Sequence, residues 1–193
     1  ADMKAAKTDA KTAYIKIREV KRAAMLANPA ITFSKLLLCD SPYPAGSEWK
    51  HETRHREGYM AVPGGQLLVL DGLSFGAPRR LMPADPLNVP GSFWRPDVSY
   101  DGQRVLFCFK AHNDRAFHIY EINADGSGLR QITSGVFDDI DPVYLPDGKR
   151  FVFCSTRSYT YVRCMPPTNA MVLMRCGLDG SDLYFISATT QPA

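Results

Sequence analysis

The sequence lacks the features that mark several large classes of protein. It contains no apolar run close to the roughly 18 residues that a transmembrane helix needs, which excludes such a helix. The N-terminus has no apolar core, so the chain carries no signal peptide, and we expect any signal to have been removed already if the protein is exported. A net charge of +3 is too small to indicate nucleic acid or a membrane surface as a partner.

Motifs for cofactor chemistry are also missing. The sequence has no C-x-x-C-H site for covalent haem, no glycine-rich phosphate loop, no nucleotide fingerprint and no G-x-S-x-G nucleophile elbow. The 5 cysteines are an odd number and include no C-x-x-C pair. We expect Cys39, Cys108 and Cys154 to be free buried thiols, and Cys164 with Cys176 is the plausible disulfide pair. No resident cofactor is therefore expected.

The sequence does contain an internal repeat. Asp101-Gly102 precedes the hydrophobic run 104–109, and Asp147-Gly148 precedes the similar run 150–154. Each copy has a second turn with the letters D-G-S, at Asp125 and at Asp179, and these two turns are farther apart than the first two. The difference indicates an insertion near 159–169. A period of roughly 40–50 residues with four short strands per unit is typical of β-propeller blades.

We predict an all-β segment of about three propeller blades, an incomplete ring, over residues 31–193. An amphipathic α-helix is expected over 1–28, since its apolar residues recur every three or four positions and Asn28-Pro29 ends the pattern. We expect its narrow stripe to lie over the end of a sheet, with docking on a partner as the alternative. The proline-rich residues 81–96 are predicted to be an extended crossing between blades rather than a central strand.

The length of the chain predicts partners for its blades. A six-bladed ring needs on the order of 250 residues at roughly 40–45 per blade, more than this chain holds. An open stack of blades leaves two uncovered faces, which soluble proteins avoid. We expect these faces to be covered by further blades of the same polypeptide, by another subunit, or by a homo-oligomer.

The repeat pattern resembles that of TolB-type β-propellers. The resemblance lies in "P-x-x-S-x-D-G" or "P-x-x-L-P-D-G", then a hydrophobic strand, then "D-G-S-x-L-x-x-I-[TS]". More closely, the chain resembles the propeller region of hydrazine synthase alpha-subunit-like proteins, through Pro90-Gly-Ser-Phe93, Pro96-Asp-Val-Ser99, Phe117-His-Ile119, Asp125-Gly-Ser-Gly-Leu-Arg-Gln131 and Asp139-Ile-Asp-Pro142. The resemblance covers about 31–187 and implies a periplasmic or secreted bacterial protein. It says little about activity, because propellers host many functions.

One motif could carry catalysis. His51, Glu52 and His55 match H-E-x-x-H, which on a helix places two imidazoles on one face for zinc, with the glutamate as general base. A metzincin would have its third histidine at position 61, which is Ala61. The flanking residues are also highly charged for a buried helix, so the alternatives are a metal contact without catalysis and a solvated loop.

Two further groups are candidate binding residues. Asp138, Asp139 and Asp141 could bind calcium or a cationic ligand, although the EF-hand spacing is absent, and the alternative is that they cap backbone amides in blade turns. Trp49, Tyr159 and Tyr161 could stack on a sugar or a peptide. We predict a non-catalytic scaffold or interaction module, with a zinc-dependent hydrolase and a glycan- or peptide-binding propeller as alternatives. Function is expected in the loops 42–63 and 159–169.

Overall fold

The computed structural model describes residues 2–42, 64–73, 76–82, 90–112, 114–162 and 168–187. Within them, no helix combines the length and apolarity needed to cross a membrane. The elements in chain order are α1 (Asp2–Leu26), β1 (Lys35–Asp40), β2 (Gln66–Asp71), β3 (Arg79–Arg80), β4 (Gly91–Val98), β5 (Arg104–Ala111), β6 (His118–Asn123), β7 (Arg130–Gln131), β8 (Asp139–Tyr144), β9 (Arg150–Ser155), β10 (Tyr161–Val162), β11 (Thr168–Asn169), β12 (Val172–Gly177) and β13 (Tyr184–Phe185).

The strands form antiparallel sheets in the order of propeller blades. Two sheets have four strands, β4-β5-β6-β7 and β8-β9-β12-β13, and we call them the middle blade and the last blade. A third sheet has the order β1-β2-β3, and β10 pairs with β11 inside the predicted insertion. The prediction of an all-β chain with an N-terminal helix is confirmed. In the described residues, the first sheet has three strands rather than the four that a complete blade would have.

The strand pairing preserves the repeat residue by residue. Cys108 of β5 lies opposite Ile119 of β6, and Cys154 of β9 lies opposite Leu173 of β12. Residues of β5 and β9 are therefore equivalent when they are separated by the spacing of the first turns. Residues of β6 and β12 are equivalent when they are separated by the wider spacing of the second turns. The run 104–109 is buried on both faces as predicted, since Leu106, Phe107 and Cys108 are 0% exposed.

Residues 91–96 belong to a strand, so the predicted crossing over residues 81–96 is wrong for that part. The first strand of the middle blade, β4, begins at Gly91 and contains Pro96. Proline is tolerated there because β4 is an edge strand and its register shifts between Trp94 and Asp97, so the missing N–H interrupts no ladder. The last blade has the same irregularity between Ile140 and Val143, around Pro142.

The D-G turns are stabilised by their own aspartates. Asp125 Oδ1 accepts from Ser127 N at 2.8 Å, and Asp179 Oδ1 accepts from Ser181 N at 3.0 Å. The serine hydroxyls donate to the same oxygens, and these hydrogen bonds hold the pKa of both carboxyls below the usual 3.8. Gly126 has φ 91°, a left-handed conformation that glycine adopts without steric cost. The signature residues of the repeat therefore fix its turns.

The middle and last blades pack face to face. Leu106 and Ile119 of the middle blade join Phe151, Phe153 and Met174 of the last blade in one buried cluster. Burying side chains of this size contributes roughly 1.5–3 kcal/mol each. This apolar contact joins the two blades through a shared core.

A buried polar network fixes the register of the two blades. Glu121, 5% exposed, accepts a hydrogen bond from Tyr144 Oη at 2.9 Å and pairs with Arg130 of its own blade. Burial, followed by the charge of Glu121, raises the pKa of Tyr144, which keeps the phenol protonated as a donor. Asp97 Oδ2 accepts from Tyr144 N at 2.8 Å. The first strand of the last blade is therefore tied to the middle blade at two points.

The described residues divide into two compact units, 1–36 with 69–78 and 37–68 with 79–193. In the first unit, the apolar stripe of α1 is exposed to solvent, with Tyr14 61%, Ile17 66% and Val20 71% exposed. The expectation that this stripe is covered by a sheet is therefore not met.

The cysteines of the described residues are free thiols. Cys108 and Cys176 are buried as small apolar side chains, whereas Cys39 and Cys154 are only half-buried. The predicted burial is therefore wrong for Cys39 and Cys154. Cys176 Sγ donates to Ser181 O at 3.3 Å and forms no disulfide, and Cys164 lies outside the described residues.

Candidate functional site

The first strands of the two complete blades carry a strained, charged pair. Arg95 has φ 47° and Asp141 has φ 55°, and each directly precedes the proline of its strand irregularity. Arg95 Nε and Asp141 Oδ1 lie 3.3 Å apart, and their side chains are 70% and 40% exposed. Non-glycine residues in this conformation cost about 1–3 kcal/mol and cluster at functional sites. This pair is therefore the first candidate for contact with a ligand.

Two thiols lie against the first strand of the following sheet. Cys39 Sγ donates to Phe93 O of β4 at 3.1 Å. Cys108 Sγ hydrogen-bonds to the backbone of Asp141 in β8. Burial raises the pKa of the Cys108 thiol, so it stays protonated, and the thiolate is the reactive form of cysteine. The arrangement suits packing and hydrogen bonding between blades.

Two of the predicted acidic residues are buried and hydrogen-bonded. Asp138, 4% exposed, accepts from Phe117 N at 2.9 Å. Asp139, 0% exposed, accepts from Ser155 Oγ at 2.6 Å and from Arg157 Nη2 at 2.7 Å. Asp141 is paired instead with Arg95. The three carboxylates therefore have separate partners.

An aromatic and cationic group that includes two exposed tyrosines lies next to Asp139. The guanidinium of Arg157 lies over the ring of Phe137 at 4.9 Å, and Phe137 contacts Tyr159 edge-on at 5.1 Å. Tyr159 is 75% exposed with φ 53°, and Tyr161 on β10 is 65% exposed. We call Phe137, Arg157, Tyr159 and Tyr161 the aromatic rim. The exposed rings of Tyr159 and Tyr161 are the chemistry that stacks on sugars and peptides.

The predicted zinc motif and one predicted aromatic residue lie outside the described residues: His51, Glu52, His55 and Trp49. Among the residues that are described, no three His, Cys, Asp or Glu side chains are arranged to hold a metal ion. The zinc hypothesis stays a prediction from the sequence.

Sequence reasoning missed Arg95, Phe137 and Arg157. The signal for Arg95 was present, because Arg95-Pro96 and Asp141-Pro142 repeat at the same spacing as the first D-G turns of the two blades. No local pattern marks Phe137 and Arg157, since their contact depends on a loop and a strand end that meet only in the folded blade.

Comparisons with known proteins agree with this architecture. No protein-family model and no curated protein matches the sequence. Among solved structures, the putative TolB from Agrobacterium tumefaciens is 24% identical, with a TM-score of 0.50, over 65% of this chain and 38% of that one. Hydrazine synthase from Kuenenia stuttgartiensis is 18% identical, with a TM-score of 0.50, over 74% of this chain and 20% of that one.

The chain has the fold of β-propeller blades. The resemblance to TolB-type propellers and to hydrazine synthase, expected from the repeat motifs, is confirmed at the level of the fold. The chain spans less than half the length of either solved structure, 38% and 20% respectively.

Breaking the buried ion pair between Arg157 and Asp139 of the last blade should destabilise the protein. Removing one partner of a buried pair costs roughly 3–5 kcal/mol, because the other charge stays buried without compensation. We therefore expect Arg157→Ala to lower the free energy of unfolding by about that amount in urea titrations, since it removes the counter-charge of Asp139, which is 0% exposed.

The matched control is Arg175→Ala. Arg175 pairs with Asp182 at the same 2.7 Å separation, but Asp182 is 62% exposed, and exposed pairs contribute about 0–1 kcal/mol. Equal losses in the two variants would show that burial of Asp139 does not matter to stability.

Proposed function

We propose that the chain is a non-catalytic β-propeller scaffold, an interaction module within an exported bacterial protein or multi-subunit complex. The observation that carries this proposal is that several carboxyl and thiol side chains are buried and have structural partners. Asp138, Asp139, Cys108 and Glu121 are buried in hydrogen bonds that hold strands and blades together. Chemistry on a substrate would need such groups to be within reach of the substrate.

The proposal of export rests on the family resemblance of the repeat. A TolB-type propeller implies a periplasmic or secreted protein, and the blades of the described residues support the propeller fold on which that expectation depends. Further blades or another subunit complete the structure in this proposal.

The aromatic rim is the surface through which we expect the module to bind. Tyr159 and Tyr161 are 75% and 65% exposed, and Arg157 places a cation beside the Phe137 ring. Exposed aromatic rings with a fixed guanidinium favour a glycan or a peptide as the bound chemistry. This observation supports a glycan- or peptide-binding propeller as the second candidate function.

Metal analysis distinguishes the scaffold proposal from the hypothesis of a zinc-dependent hydrolase. The scaffold proposal predicts far less than one zinc per chain by elemental mass spectrometry after purification from zinc-supplemented medium, with the same value in His51→Ala. One zinc per chain that is lost in His51→Ala would overturn the proposal, because H-E-x-x-H chemistry needs both histidines on the metal.

Binding at the rim is tested with Tyr159→Ala on arrays of oligosaccharides and peptides. A ring that stacks on the ligand contributes about 1–2 kcal/mol, so the variant should lose roughly tenfold in affinity for any ligand the wild type captures. Tyr100→Ala is the control, since Tyr100 is 74% exposed and lies outside the rim. Equal affinities in both variants, or equal losses, would remove the rim from the binding surface.

A further inference from the structure

One set of apolar residues in α1 follows the heptad pattern of a coiled coil. Its members are separated by alternating spacings of three and four residues, as the apolar positions a and d of a heptad are. Met3 and Ala6 have the same spacing in the sequence, so the pattern covers more than three heptads. The a positions that follow are Ala10, Ile17 and Ala24, and the d positions are Ala13, Val20 and Ala27. We call these last six residues the seam.

The seam is exposed to solvent along its length. Ile17 and Val20 are 66% and 71% exposed, and the four alanines of the seam are exposed as well. Between residues 9 and 26, the half-buried side chains of the helix are Arg22 and Leu26, at positions f and c on the opposite side. Most helical stability in proteins comes from packing of an apolar face. The helix is therefore placed to pack on another element through its seam.

The narrow width of the seam favours a helix over a membrane as its partner. Two apolar positions per heptad form the strict stripe of a coiled coil, whereas a helix that lies on a membrane buries a broad face of bulky side chains. Four of the six seam residues are alanine, which lets a second helix approach closely but buries little apolar area in lipid. A second helix therefore fits the seam better than a bilayer does.

Positive charge borders the seam. Residues 1–28 contain 7 of the 23 Lys and Arg residues but 3 of the 20 Asp and Glu residues, so they carry +4 while the rest of the chain carries −1. Lys16 at position g and Lys21 at position e flank Ile17 and Val20, and charges at e and g determine the partner of a coiled coil. In a parallel pair of two copies, Lys16 of one helix would face Lys21 of the other. An acidic helix therefore complements this surface better than a second copy does.

We propose that α1 forms a two-stranded coiled coil with an acidic amphipathic helix of a partner protein, one that has apolar residues at a and d and carboxylates at e and g. Ile17 and Val20 supply the central apolar layers of this contact. Lys16 and Lys21 pair with the carboxylates of the partner. The surface belongs to α1 and not to the blades, so the inference does not depend on the scaffold role or on binding at the aromatic rim.

The first test uses the full chain and a synthetic probe. The probe is a fluorescein-labelled peptide of four heptads with isoleucine at a, leucine at d, and glutamate at e and g. One control peptide has lysine at e and g, and a second has the acidic sequence in scrambled order. In fluorescence anisotropy, the chain should bind the acidic heptad peptide at least roughly tenfold more tightly than either control. Equal affinity for the scrambled acidic peptide would overturn the proposal, because charge alone would then explain the binding.

Substitutions on the seam test whether it is the contact surface. Ile17→Lys with Val20→Lys should weaken binding of the acidic heptad peptide at least roughly tenfold, since a charged side chain is costly to bury between two helices. The matched control is Ile15→Lys with Met25→Lys, which adds the same charge at positions f and b, where Ile15 is 45% and Met25 is 61% exposed. The control should retain the affinity of the original chain. Equal losses in the two double variants would show that the seam is not the contact surface.

Charge reversal tests the chemistry of the partner. Lys16→Glu with Lys21→Glu should exchange the preference, so that this variant binds the lysine peptide more tightly than the glutamate peptide. An unchanged preference for the glutamate peptide would contradict the role given to the two lysines.

Two further measurements test the other possible occupants of the seam. In sedimentation velocity, a dimer of the original chain that is lost in Ile17→Lys with Val20→Lys would overturn the proposal in favour of a second copy. In co-sedimentation with phosphatidylglycerol vesicles, the same variant should bind no less than the original chain, because its added lysines leave any electrostatic attraction intact. Loss of vesicle binding in this variant would overturn the proposal in favour of a membrane surface.

Discussion

The structure depends on one constraint, which is that each sheet has apolar side chains on both faces and must be covered on both. In the middle blade this is achieved, and Leu106, Phe107 and Cys108 are 0% exposed. A single sheet has no interior of its own, so the core forms only where a second sheet packs on it. The contact of Leu106 and Ile119 with Phe151 and Phe153 is therefore the interaction on which the other elements rely.

The polar residues of the blades follow from the same constraint. Once two sheets are pressed together, every polar group between them needs a partner, since an unpaired buried group costs about 1–3 kcal/mol. Glu121 meets Tyr144 of the last blade for this reason, and inside the last blade the buried Asp139 meets Arg157. Asp139, a candidate in the sequence for binding a cation, is thus used inside the last blade instead. The groups left exposed, Tyr159 and Tyr161 of the aromatic rim and the pair Arg95 with Asp141, are where contact with other molecules is available.

The sequence was sufficient for the repeat and for the fold, because D-G turns and hydrophobic runs are local signals with a fixed spacing. It was insufficient for β4, since Arg95-Pro96 does not look like a strand until the neighbouring β5 provides the pairing around the irregularity. It was also insufficient for Asp138 and Asp139. Their burial is decided by Phe117, Thr156 and Arg157, which lie far from the aspartates they contact along the chain.

Light scattering on the purified chain tests most directly whether the last blade needs a neighbour. With Val143 and Leu173 of the last blade exposed, we predict association that increases with concentration, into heterogeneous particles heavier than the 21.5 kDa monomer. A monodisperse 21.5 kDa particle over the whole concentration range would contradict the account, because Val143 and Leu173 would then be stable in water without a covering blade.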